Sequence, residues 1–79
     1  MTSHDLIEMF TYHSPFGDQA ERYQILREKA KTLALTIYGL CPESREKSLA
    51  ITYLQTAVMM ANASIAIHEV KPPAPEVTP

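Results

Sequence analysis

"REKSLAITYLQTAVMMANASIAIHE", residues 45–69, decides the fold. Ser44 stands before it as an N-cap, and Glu46 suits the positive end of a helix dipole, so the stretch predicts one long helix. In its later half only Asn62 and Ser64 interrupt an otherwise apolar run of eleven residues, 57–67, and a single antiparallel neighbour would cover just one side. A helix that is apolar all round has to be buried all round. The stretch therefore predicts several helical hairpins packed together. Eleven residues are too few to span a bilayer, so the expected cover is protein and not membrane.

Working back from residue 45, the link "GLCPES" (39–44) is short enough to return the chain antiparallel to a preceding helix. That helix is expected from Gln19 to about Tyr38, with Leu26, Ala30, Leu33, Ile37 and Leu40 drawing one stripe at spacings of three and four, and with Gly39 ending it. Asp18 and Glu21 have the spacing of a capping box at its start. "TYHSPFG" (11–17) reads as a loop, because Ser14 precedes Pro15 and Gly17 follows. Before it, "SHDLIEMF" (3–10) predicts two helical turns with Ser3 as N-cap. The expected fold is all-α: a short N-terminal helix plus an antiparallel helical hairpin (18–69) in one domain, residues 1–70, assembling as a compact homo-oligomer. Residues 71–79 belong to a Pro-rich tail, "VKPPAPEVTP" from residue 70, expected to be extended and mobile.

A chain of 79 residues buries too little surface to be comfortable alone, and Cys41, its only cysteine, cannot form an internal disulfide. His4, His13 and His68 are scattered and match no metal-ligand spacing, so neither a metal nor a cofactor is expected. Association with other copies is the remaining source of stability. Nine acidic against seven basic side chains give no general positive field, which argues against duplex nucleic acid as a ligand. The N-terminus shows no secretory pattern, and the expected location is the cytosol. No nucleophile, base and orienting group stand together, so binding is expected and catalysis is not.

The aromatic loop is where binding is expected. Phe10, Phe16 and Tyr23 can be read simply as staples of the short helix onto the hairpin. Tyr12 and His13 each combine a flat face with a hydrogen-bonding edge, next to a chain break and a helix start whose free amides favour anions. A flat, anionic ligand would suit that pair. Arg22, Arg27, Lys29 and Lys31 follow, and Arg27, one turn beyond Tyr23 at the hairpin's margin, is the cation best placed to reach a phosphate near the loop. Asn62 and Ser64 read as hydrogen-bonded core or interface groups.

The order "FTYHSPFGDQAERYQILREKAKTLA", then "CPESREKSLAITYLQTAVMMANASIAI", resembles the phage sponge family of anti-CBASS protein two, whose helical hairpin is shared by a family of anti-Thoeris sponges. The resemblance covers roughly residues 9 to 69. It implies a phage protein that sequesters, without cleaving, the cyclic oligonucleotide signals of bacterial CBASS defence. It also implies a homohexamer in which cyclic dinucleotides such as cyclic GMP–AMP bind between two protomers and cyclic trinucleotides, in some members, occupy separate pockets. The family's aromatic-histidine pair falls on Tyr12 and His13, and its phosphate-pairing cation on Arg27, with Lys29 and Lys31 as near alternatives. Ser14 and Met60 stand where the family often has a proline and a tryptophan.

Elementary chemistry agrees with that implication. A cyclic dinucleotide has two bases and two phosphates about a pseudo-twofold axis, and a twofold interface supplies each tyrosine and each cation twice. The rival reading is a helical assembly or adaptor protein whose apolar helix packs on a different phage or host polypeptide. In that case the Tyr12 loop is structural.

Overall fold

The computed structural model describes residues 1–69; the Pro-rich tail and its expected mobility lie outside the described residues. Three helices follow in order: α1 (Ser3–Phe10), α2 (Gln19–Leu40) and α3 (Arg45–His68). The all-α class and the hairpin are as the sequence predicts.

The helix ends show which local signals prevail. α1 is capped by Thr2 and not by Ser3: the Thr2 hydroxyl accepts from the Asp5 amide (3.1 Å) while the Asp5 carboxylate accepts from the Thr2 amide (2.9 Å). Ser3 would have Leu6 three residues on, which cannot return the bond. The Thr2 bonds also hold the Asp5 carboxyl below its ordinary range. Asp18 stands at the N-cap of α2, yet it makes no capping bond; its carboxylate accepts from Arg22 Nε (3.1 Å) instead. α2 also runs past Gly39 to Leu40. What stops it is Pro42, which forces Cys41 into extended backbone (φ −106°, ψ 138°). At α3, Ser44 accepts from the Lys47 amide (3.1 Å) as its position predicts.

α2 and α3 pack along their length, and antiparallel order is visible in how their ends meet. At the closed end Lys47 reaches Glu43 (2.6 Å) and lies 4.2 Å above the Tyr38 ring. At the open end Gln19, the first residue of α2, bonds to Ile65 of α3 and to Glu69 just past its end. Between these pins the contact face of α2 is half-buried Tyr23, Leu26, Ala30, Ala34 and Ile37. The expected stripe is thus rotated: Leu33 stays half-open at its edge, Leu40 is exposed, and Ala34 turns inward.

Burial in this chain runs opposite to that of an ordinary domain. Among the described residues no apolar side chain is fully buried, whereas the polar Gln19 and Lys47 are, at 1% and 8% exposure. Leu33, Leu40, Tyr53, Met59 and Met60 all face outward. An apolar surface of this kind asks for a protein cover. By length and composition α3 could also cross a membrane, since an 18-residue window reaches a mean hydropathy of 1.3. A bilayer would then have to take in Arg22, Arg27, Glu28, Lys29 and Lys31 on the packed α2, each at substantial cost. Protein cover carries no such penalty.

Candidate ligand-binding margin

The loop joining α1 to α2 is held at both ends. Its first anchor is His13, whose Nε2–H donates to the Glu8 carbonyl (2.9 Å), with the Glu8 carboxylate 3.7 Å away. Its second is a turn in which the Gln19 amide donates to the Phe16 carbonyl (3.1 Å). Gly17 takes φ +56° inside that turn, a conformation that glycine adopts without steric cost. Between the anchors Tyr12 is 82% exposed and Phe16 half-buried. Phe10 is exposed as well, so it does not staple α1 to the hairpin.

From this loop three shallow grooves follow one another along one margin of the hairpin. The first, about 410 Å³, lies between Tyr12, His13 and Phe16 of the loop and Ala66 and Ile67 of α3. The second, about 310 Å³, is shared by His13, Tyr23, Arg27, Asn62 and Ala66. The third, about 560 Å³, continues past Arg27 to Lys31, Gln55 and Met59. His13 and Ala66 join the first to the second, and Arg27 joins the second to the third.

Of the five residues expected at the site, the fold therefore brings four to one margin: Tyr12, His13, Arg27 and Lys31. Lys29 is apart from them. It is two residues from Arg27, hence roughly 160° around the helix, and it borders a groove on the other margin lined by Leu26, Leu33, Ala57 and Ala61. Arg27 donates from Nη1 to Gln24 Oε1 (2.8 Å), which leaves most of its fork of donors facing outward.

Charge is unevenly spread along the margin. Glu8 and Glu69 border the Tyr12 groove, whereas Arg27 and Lys31 border the third. Glu69 is matched by Arg22, whose Nη1 and Nη2 meet its two oxygens at 2.6 and 2.5 Å. Together with Gln19, this fork holds the Glu69 carboxyl down at about 2 and raises the Arg22 guanidinium further above its usual value. Arg22 is therefore a structural clamp and not a free surface charge. Asn62 and Ser64 find no core role within the single hairpin: the half-buried Asn62 carries a buried Oδ1 with no hydrogen-bond partner among the described residues, and Ser64 is exposed.

Two contributors were not expected from the sequence, Gln19 and Glu69. The spacing Asp18-Gln19-x-x-Arg22 was the available signal, but it reads equally well as an ordinary helix start. Among the described residues no cluster of three or more histidine, cysteine, aspartate or glutamate side chains is arranged to hold a metal ion. Cys41 is exposed in the inter-helix link.

No curated protein and no solved structure matches the chain. A family model does: the Acb2/Tad1 hairpin domain, matched over residues 4–66. That span takes in α1 from His4, the anchored loop, all of α2 and α3 up to Ala66, and of the residues bordering the three grooves it leaves out Ile67 and Glu69. By this match the chain belongs to the Acb2/Tad1 hairpin-domain family.

Proposed function

We propose that this protein is an anti-defence sponge. It binds cyclic dinucleotides of the cyclic GMP–AMP kind, and cyclic trinucleotides as a further class, and withholds these CBASS signals in the cytoplasm of a phage-infected bacterium without cleaving them. Membership of the hairpin family is consistent with a sponge-type role. The observation that carries the reading is the gathering of Tyr12, His13, Arg27 and Lys31 on one margin.

Roles follow from the placement of charge. Tyr12 offers an open ring beside the Glu8 carboxylate and away from Arg27 and Lys31, which suits a base; Arg27 and Lys31 suit the phosphates. Stacking contributes about 1–3 kcal/mol per base and a charge-assisted phosphate contact about 1.5–3 kcal/mol. One copy of each gives modest affinity. Two copies, set about a twofold axis between protomers, give tight binding even after the cost of ordering the ligand. A homo-oligomer is therefore part of the proposal, and the apolar surface of the single chain supports it.

Calorimetric titration of the purified protein with cyclic GMP–AMP tests the reading. Saturable binding that Tyr12→Ala weakens, with the oligomer mass unchanged, supports it. Wild-type protein that binds no cyclic di- or trinucleotide contradicts it. The open apolar surface would on its own also suit an adaptor for another polypeptide. A chain that stays monomeric until such a partner is added would favour that reading.

A further inference from the structure

Gln19 is the most deeply buried side chain described, at 1% exposure, and it is polar. Its amide is nearly saturated. Oε1 accepts from the Phe16 amide (3.1 Å), and Nε2 donates both to the Ile65 carbonyl (3.3 Å) and to Glu69 Oε1 (2.8 Å). One side chain thus ties the aromatic loop, the start of α2 and the end of α3 together. Arg22 closes the far side, with its fork on Glu69 and its Nε on Asp18 Oδ1, the residue between loop and helix. Gln19 borders none of the three grooves and so has no direct route to a ligand. What it holds is the loop from which Tyr12 and His13 project.

We propose that Gln19, locked by the Arg22–Glu69 pair, is a positioning residue that fixes the Tyr12–Phe16 loop against the end of α3 and thereby sets the affinity for the ligand. The inference rests on the cyclic-nucleotide reading above, and it adds a residue that no contact with the ligand would reveal. Leaving Phe16 N–H and the Glu69 carboxylate without this partner unties the loop from the end of α3, while the backbone turn from Phe16 to Gln19, the His13–Glu8 anchor and the packing of α2 on α3 remain.

The test pairs hydrogen exchange over residues 11–18 with titration of cyclic GMP–AMP and light scattering, on the full chain. Gln19→Leu keeps the side-chain bulk and removes the bonds. It is expected to speed exchange at the Phe16 amide and weaken binding about tenfold, with mass and helix content unchanged. Arg22→Glu is expected to loosen the loop too, whereas Arg22→Lys, which keeps a cation beside Glu69 and leaves Glu69 Oε1 to accept from Gln19, is expected to retain most of the affinity, a distinction that a merely packing role would not make. If Gln19→Leu fails to fold, Glu69→Gln, altered at an open helix end, carries the same expectation with a smaller effect. Unchanged loop exchange and unchanged affinity in these variants would overturn the proposal. Wild-type protein with a protected loop but no affinity for any cyclic nucleotide would overturn the ligand reading, and the positioning role with it, while the exchange data still show the latch.

Discussion

The two margins of the α2–α3 hairpin are built from the same two helices and share the apolar residues Ala30, Leu54 and Val58, yet they differ in the polar groups at their borders. One carries Arg27 and Lys31 with His13, Tyr23 and Asn62 in its grooves, next to the exposed Tyr12. The other adds Leu26, Leu33, Ala57 and Ala61 to those shared residues, with Lys29 its single charged border. The helical repeat makes this division: residues 27 and 31 fall together, and residue 29 falls away from both. A hairpin too small to have a core can thus give one margin to a ligand and the other to its own copies. Its apolar side chains stay partly open in the single chain.

Variants that exchange the character of the margins test this division, and the largest effect belongs to the apolar one. Leu33→Glu places a charge on a half-exposed site, so the hairpin itself should survive; in an assembled face the same charge loses its solvent. The oligomer should fall apart in light scattering, and an unchanged mass would show that this margin is open to water. Tyr12→Ala comes next. Loss of stacking should weaken cyclic-dinucleotide binding about ten- to a hundredfold, with assembly intact; a broken oligomer would make Tyr12 a packing residue.

The contrast between Arg27→Ala and Lys29→Ala sharpens the comparison further. Removing a phosphate partner should cost about tenfold or more in affinity, whereas Lys29→Ala should stay within about twofold, as an exposed charge outside the site would. Equal losses would place the phosphate between the margins and contradict the division. The smallest effect is a titration. The Glu69 carboxyl, held at about 2 against an ordinary 4.5, contributes its stabilisation fully above 4.5 and loses it as pH falls toward 2. Carbon-detected NMR should find its midpoint near 2 and should return it toward 4.5 in Arg22→Ala. A wild-type midpoint at 4.5 would show that the clamp is not formed.

Helix order and the hairpin were legible in the sequence because the decisive signals are local: the apolar run of 57–67, the short link with Pro42, and Ser44 before α3. Ends were less legible where two caps compete. Thr2 and Ser3 are both good caps, and only the reciprocal bond to Asp5 separates them. Gly39 looked like a stop although Pro42 is the stronger one. At the site, Tyr12, His13 and Arg27 were named by residue type and position, and Lys29 could be set apart from Lys31 only once the contact face of α2 was known. Gln19 was hidden for a different reason. Its partners Ile65 and Glu69 lie at the far end of the chain, and a buried glutamine joining remote segments leaves no periodic trace.

The most direct test is to incubate the purified protein with a panel of cyclic di- and trinucleotides, remove unbound ligand, release what remains by heat and identify it by chromatography. The account predicts intact cyclic ligand, recovered at a fixed ratio per protomer. Recovery of a linear product would reveal an active site, and recovery of nothing across the panel would leave a helical assembly protein in place of a sponge.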